Sequence, residues 1–76
     1  MHHRLTPVSH KRFEKFLKHI GCHYVHQKGS HIKYRCPGLE RPLIIPAREL
    51  APFIIKNNLR ILGISTREYL DIIEKL

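Results

Sequence analysis

The first apolar pattern along the chain has the period of an α-helix. Four apolar residues at i, i+3, i+4 and i+7 form a single stripe: Phe13, Phe16, Leu17 and Ile20. Ser9 precedes this stripe as a residue type that caps helices, and Gly21 follows it as a type that ends them. The pattern therefore predicts an amphipathic first helix that begins near Ser9 and ends at Gly21.

After Gly21 the pattern changes to that of β-strands. Residues 22–27 are rich in aromatic and β-branched types, and Lys28-Gly29-Ser30 predicts a turn in which glycine supplies a positive φ. The next residues alternate, with Ile32, Tyr34 and Cys36 on one face and His31, Lys33 and Arg35 on the other. These patterns predict a hairpin, and we expect its second set of side chains to face water.

The remaining elements follow from proline, glycine and capping signals. Residues 41–46 predict a third strand, which is either short or at a sheet edge because Pro42 and Pro46 cannot donate ladder hydrogen bonds. An apolar stripe at helical spacing predicts a second helix within residues 49–63, ended by glycine. Residues 65–68 (Ser-Thr-Arg-Glu) have the form of a capping box, which predicts the start of a third helix.

Together these elements predict one small α+β domain. The order is αβββα with an additional C-terminal helix, which gives a three-stranded antiparallel sheet with the helices on one face. The 76 residues of the chain suffice for a single domain of this kind. We assign residues 9–76 to it and interpret residues 1–8, which include His2 and His3, as an N-terminal extension.

Basic charge is concentrated in the first half of the chain. The formal net charge is +8, from 14 Lys or Arg residues against 6 Asp or Glu residues. Residues 1–35 contain 8 of these basic residues and 1 acidic residue, whereas residues 36–76 are nearly neutral. This balance favours an anionic partner, namely nucleic acid, an anionic membrane or an acidic protein. We expect the first half of the chain to contact it.

Several classes of protein are excluded by features that the sequence lacks. No apolar run approaches the ~20 residues that span a bilayer, and the first residues lack the apolar segment of a secretory signal. Cys22 and Cys36 match no paired-cysteine motif, so we interpret both as free thiols and expect a cytoplasmic protein. The 7 histidines fall in no zinc-binding array, and we expect neither a metal nor another cofactor.

The predicted turn and second strand place one histidine among cations. Lys33 and Arg35 share a face with His31 and disfavour its protonated form, which favours the neutral imidazole of a general base. Gly29 allows a phosphate of the substrate to approach the backbone N–H groups of the turn, and Lys28, Lys33 and Arg35 are the cations expected to bind and neutralise it. This arrangement suits RNA cleavage without a metal. A solvent-facing histidine on a basic strand is, however, more often an ordinary surface residue.

The run from Gln27 to His31 (Gln-Lys-Gly-Ser-His), which enters an alternating strand, resembles the signature of the HicA (YcfA-like) toxin family of toxin–antitoxin systems. Three further segments resemble that family's first helix, third strand and closing segment: residues 13–21, 42–46 and 59–70. The resemblance covers roughly residues 9–72. The chain departs from the family at Ile32, where many members have a second histidine, and at residues 47–52, which replace a basic or histidine-containing stretch.

This resemblance implies a fold like that of the double-stranded-RNA-binding domain and a ribonuclease activity on mRNA. It also implies a HicB antitoxin, encoded beside the toxin, that neutralises this activity. The family's essential histidine corresponds to His31 and its glycine to Gly29, with Lys28 and Ser30 as motif neighbours. We expect the toxin to stop translation and growth when its antitoxin is absent.

Three hypotheses for the function stay open on the sequence alone. The first is an mRNA-cleaving toxin with His31 as general base, in which His23 and His26 on the neighbouring strand are the candidate acids. The second is a non-catalytic RNA-binding module, because a fold does not determine a function. The third is a basic surface that docks an acidic protein, which is compatible with the first because an antitoxin would cover the same face.

Overall fold

The order of helices and strands agrees with the prediction. The computed structural model describes residues 4–76, so His2 and His3 lie outside the described residues. Six elements follow one another: α1 (His10–His19), β1 (His23–Lys28), β2 (His31–Arg35), β3 (Leu43–Pro46), α2 (Pro52–Leu62) and α3 (Thr66–Ile73). Within residues 4–76 no helix has the length and apolar character needed to cross a membrane.

Side-chain and glycine caps define the ends of the helices. The hydroxyl of Ser9 accepts a hydrogen bond from the backbone N–H of Arg12 at 3.2 Å, and Ser65 accepts one from Glu68 at 3.1 Å. These bonds satisfy N–H groups that have no partner within the helix. Gly63 ends α2 with a φ of +73°, a left-handed conformation that side chains rarely adopt.

The sheet is antiparallel in the order β1-β2-β3, with β2 in the centre. Ile32 and Tyr34 of β2 are buried, whereas His31 and Arg35 are exposed, so the predicted assignment of faces is confirmed. The helices cover the buried face, and the other face is open to solvent. The third strand has 4 residues and lies at a sheet edge, which agrees with the prediction that it is short or at an edge.

Aromatic packing and one hydrogen bond join α1 to α3. The rings of Phe16 and Tyr69 meet edge to face with centroids 4.9 Å apart, and both residues are buried. Arg12 Nη2 donates to the backbone carbonyl of Ile73 at 2.8 Å, at the C-terminal end of α3. This bond satisfies a terminal carbonyl and places positive charge where the helix dipole favours it.

Tyr34, a buried residue, connects the sheet to α1 through a part-buried hydrogen bond. Its side chain is 0% exposed, and its hydroxyl donates to Oε1 of Glu14 at 2.7 Å. Nδ1 of His10 lies 2.7 Å from the other carboxylate oxygen of Glu14. Burial and the bond to Glu14 raise the pKa of Tyr34 well above its usual range, so the fold holds the neutral phenol.

The two cysteines form a disulfide, so the interpretation of Cys22 and Cys36 as free thiols is wrong. Their Cα atoms lie 4.1 Å apart, and both side chains are buried under the sheet. His23 pairs with Arg35 in the ladder, so the cysteines occupy the next cross-strand position at the open end of the hairpin. The bond therefore closes the hairpin at the end opposite the turn.

A β-bulge in β1 brings the cysteines together. The register shifts between Tyr24 and His26, so that Val25 is an extra residue without a partner. If pairing continued regularly from the turn, Cys22 would lie opposite Pro37 and would point away from the helices. The bulge shifts the pairing of β1 with β2 by one residue, so that Cys22 lies opposite Cys36 and points inward. The spacing of the cysteines in the sequence does not show this shift.

Residues 4–8 approach the domain before α1 begins. The backbone N–H of Val8 donates to the carbonyl of Leu50 at 3.1 Å, and the N–H of Leu50 donates to the carbonyl of Val8 at 2.7 Å. Leu50 is fully buried, and Leu5 and Val8 pack against the core. The last residue of the predicted extension is thus paired with the segment that leads into α2.

Removal of the Tyr34 hydroxyl should destabilise the fold. We expect Tyr34→Phe to lower the free energy of unfolding by about 2 kcal/mol, because a part-buried hydrogen bond to a carboxylate is lost. Tyr24→Phe is the matched control, since Tyr24 is 49% exposed and only its ring contacts Tyr34. Urea unfolding at neutral pH measures both variants, and equal losses would contradict this role of the Tyr34–Glu14 bond.

Reduction of the disulfide should also destabilise the fold. The bond joins residues separated by 14 positions, and a loop of this size corresponds to about 3 kcal/mol of lost chain entropy. Urea unfolding with and without dithiothreitol measures the difference. The double variant Cys22→Ala/Cys36→Ala should match the reduced wild type and no longer respond to the reductant. An unfolding curve of the wild type that dithiothreitol leaves unchanged would show that the disulfide contributes nothing.

Candidate active site

His31 is the first residue of β2 and lies beside the hairpin turn. Its cross-strand neighbours are Lys28 of β1 and Pro46 of β3, and its side chain is exposed on the open face of the sheet. The next residue, Ile32, is buried in the core and fixes the strand in its register. The backbone of His31 is therefore held rigidly while its imidazole is accessible to solvent.

The turn before His31 has a defined conformation. Gly29 has a φ of +60° and Ser30 a negative φ, the combination found in two-residue type II′ hairpin turns. Gln27 Nε2 donates to the carbonyl of Gly29 at 2.9 Å, and the N–H of Ala47 donates to the carbonyl of Ser30 at 2.8 Å. A Cβ on Gly29 would meet no atom within 4 Å, so the turn is open on its outer side.

Two lysines lie close to His31 without an acidic partner. Lys28 is its cross-strand neighbour, and Lys33 lies two residues along the same face of β2. Neither β1 nor β2 contains an acidic residue. Within residues 4–76 the one ion pair is between His10 and Glu14 on α1, so both ammonium groups are free to meet an external anion.

Arg35, the third predicted substrate-binding cation, lies away from His31. Arg35 lies four positions after His31 on β2, which corresponds to about 13 Å along the strand. Its Nη1 donates to the carbonyl of Glu40 at 2.9 Å, in the loop between β2 and β3. The structure thus brings Lys28, Gly29, Ser30 and Lys33 together around His31, whereas Arg35 holds the loop at the opposite end of the strand.

The two candidate acids differ in their distance from His31. His26 pairs with Lys33, which makes it a diagonal cross-strand neighbour of His31 at about 7 Å between Cα atoms. His23 pairs with Arg35 at the far end of the strand. Both histidines are exposed on β1, and His26 is the one that lies near His31 on the open face.

Glu14 is a residue of structural importance that the sequence patterns did not single out. It is the one acidic residue in residues 1–35, and it lies on α1 behind the sheet rather than on the open face. Its contact with Tyr34 fixes the buried face of β2 and thereby the opposite face that carries His31. The sequence feature that could have identified Glu14 is that all the other charged residues in this segment are basic.

The open face combines an exposed imidazole, two lysines without an acidic partner and a turn that is open on its outer side. Such a surface can bind a phosphate and transfer a proton at an adjacent oxygen. Among residues 4–76, no group of three or more His, Cys, Asp or Glu side chains has a geometry that would hold a metal ion.

A comparison with protein-family models identifies the family. Residues 10–64 match the model described as the HicA toxin of bacterial toxin–antitoxin systems, and this match covers more than half of the chain. The chain belongs to the HicA toxin family. No curated protein and no solved structure gives a significant match.

The matched segment contains the whole candidate site. It runs from the first residue of α1 through the sheet to Ile64, and α3 lies outside it. Membership in the HicA family makes this chain the toxin of a toxin–antitoxin pair, with an antitoxin as its partner. The sequence-based resemblance to this family and the predicted α+β fold are both confirmed.

The positive φ of Gly29 should limit which residue types can replace it. We expect Gly29→Ala to lower the free energy of unfolding by about 1 kcal/mol, because a Cβ is strained at this φ. Gly38→Ala is the matched control, since Gly38 has a φ of +80° and equally open surroundings but lies outside the site. Thermal unfolding should show similar losses for both. No loss at Gly29 would contradict the proposed strain at the turn.

Proposed function

We propose that this HicA toxin is an endoribonuclease that cleaves mRNA without a metal, with His31 as the general base. The observation that carries this proposal is the placement of His31, exposed on a rigid strand between two lysines that have no acidic partner. Cleavage of mRNA would stop translation and growth, which accounts for the toxicity.

The proposed reaction is an internal transfer at phosphorus. A ring nitrogen of His31 accepts the proton of a ribose 2′-OH, and the resulting oxyanion attacks the adjacent phosphorus. The bond between phosphorus and the 5′ oxygen breaks, which leaves a 2′,3′-cyclic phosphate on one product. The leaving 5′ oxygen takes a proton from His26 as the general acid, so that the other product carries a 5′-OH.

The lysines and the turn support the charged transition state. Lys28 and Lys33 flank His31 and stabilise the additional negative charge that develops on the phosphate oxygens. The backbone at Gly29 and Ser30 is accessible to a phosphate because no side chain covers the outer side of the turn. Arg35 contributes long-range attraction for RNA from the far end of the strand, because its head group is already bonded to Glu40.

The basic open face also supports a proposal for how the antitoxin binds and where the toxin acts. We infer that a HicB-type antitoxin neutralises the toxin by covering the basic open face, since an acidic or bulky partner there would exclude RNA. The substrate is cytoplasmic mRNA, and we therefore place the active toxin in the cytoplasm. A non-catalytic RNA-binding module is the alternative, and it differs in predicting binding without cleavage.

Removal of His31 should abolish cleavage and leave the fold intact. We expect purified wild-type protein to cleave single-stranded RNA in EDTA and His31→Ala to lose this activity by about a hundredfold or more. RNA affinity should change little, because Lys28 and Lys33 supply the phosphate contacts. His19→Ala is the matched control, since His19 is an exposed histidine at the end of α1, away from the sheet.

The same measurements distinguish the alternatives. Full activity of His31→Ala would contradict its role as base, and loss of activity of the wild type in EDTA would indicate a metal-dependent nuclease. RNA binding by the wild type without cleavage would favour the non-catalytic module.

A further inference from the structure

A groove lies between the sheet edge and α2, and no residue of the hairpin turn lines it. Its volume is about 910 Å³, and one wall is formed by residues 38–44 in the β2–β3 loop and β3. Phe53 and Ile61 of α2 line the other wall, and Ile44 projects from β3. We call this the α2–β3 groove. Neither the proposed reaction nor the core uses it.

Large apolar side chains are exposed around this groove. Phe53 is 74% exposed, Ile61 is 50% exposed and Ile44 is 44% exposed. Single exposed apolar residues are ordinary, but three that line one concave surface are typical of a site where a protein partner binds. Burial of Phe53 and Ile61 against a partner would recover apolar area that the isolated domain leaves in water.

The loop that forms one wall is held in place before any partner binds. Arg35 Nη1 donates to the carbonyl of Glu40, and the N–H of Leu39 donates to the carbonyl of Cys36 at 3.2 Å. Cys36 is itself fixed by the disulfide to Cys22. The groove is therefore largely preformed, which lowers the entropy lost on binding.

The free edge of β3 does not favour a bound strand. The N–H of Ala47 points to Ser30 of the turn, so alternation directs the N–H of Ile44 to the free edge. Pro42 and Pro46, the next positions with that orientation, have no N–H to donate. A partner strand would find a single backbone donor, whereas a helix requires none.

The charges and the length of the groove define the partner. Arg41, Lys56 and Arg60 surround the apolar side chains, and Glu40 is the one acidic residue in the lining. The α2 helix has 11 residues, or a length of about 16 Å, which matches three turns of a second helix laid beside it. Among the three exposed apolar side chains, Phe53 alone has a ring on which an RNA base could stack, whereas Ile44 and Ile61 are aliphatic.

We propose that the α2–β3 groove binds an acidic amphipathic helix of the antitoxin. Apolar residues at i, i+3 or i+4, and i+7 of that helix contact Phe53, Ile61 and Ile44, and its Asp or Glu residues face the surrounding cations. This inference deepens the partner assignment of the proposed function. It rests on membership in a toxin–antitoxin family and is independent of the chemistry at His31.

Serine substitutions on the groove walls test the proposal. In a His31→Ala background, which permits expression, Phe53→Ser and Ile61→Ser should each weaken binding of the purified cognate antitoxin by about tenfold or more in calorimetry. Leu76→Ser is the matched control, because Leu76 is 41% exposed and does not line the groove. These residues are exposed, so circular dichroism should show an unchanged fold.

Charge reversal and competition test the chemistry of the partner. Lys56→Glu should weaken antitoxin binding and reduce its dependence on salt, whereas Arg67→Glu, an exposed change on α3 outside the groove, should not. A synthetic peptide with the acidic amphipathic helix of the antitoxin should compete for the groove. An antitoxin that lacks such a segment, or unchanged affinity in the Phe53 and Ile61 variants, would overturn the proposal.

Measurements of RNA cleavage separate this inference from the proposed function. With His31 intact, Phe53→Ser should cleave RNA at the wild-type rate, and loss of RNA binding would instead identify the groove as part of the RNA site. A dimer of the free toxin that Phe53→Ser dissociates would identify a second copy as the occupant. Failure of the His31 variants to lose cleavage would leave the binding result unaffected.

Discussion

The hydrogen bond from Tyr34 to Glu14 determines how the rest of the molecule is arranged. It fixes one face of β2 against α1 at a position where the ring is already fully buried. Because side chains alternate along a strand, burial of Tyr34 and Ile32 places His31 and Lys33 on the opposite face. The exposure of the candidate base is therefore a consequence of core packing on the other side of the sheet.

The open face carries a concentration of positive charge that would destabilise the hairpin if it were isolated. Lys28, Lys33 and Arg35 share two adjacent strands that contain no acidic residue, and their mutual repulsion favours separation of the strands. The hairpin is closed against this repulsion at both ends, by the turn at Gly29 and by the disulfide. The one acidic residue of this half, Glu14, lies behind the sheet, so that it stabilises the fold without neutralising the basic face.

Regular patterns predicted most of the fold and the position of His31, whereas contacts between distant segments were not predictable. The alternation of residues 31–36 identified the face of His31 because every second residue there is large and buried. The pairing of Cys22 with Cys36 depends on one extra residue at Val25, and no local signal marks a bulge at that position. The hydrogen bond from Arg35 to the Glu40 carbonyl depends on the path of the loop between β2 and β3, which the sequence does not specify.

The bulge at Val25 has a consequence for how this hairpin can vary in length. Because Val25 has no cross-strand partner, loss of this residue would leave a regular ladder in which Tyr24 still faces Tyr34 and Cys22 still faces Cys36. The pairing of Lys28 with His31 would also be preserved. Evolution can therefore add or remove one residue at this point of β1 without displacing either end of the hairpin. Insertions anywhere between His26 and His31, by contrast, would alter the turn or the register beside the candidate base.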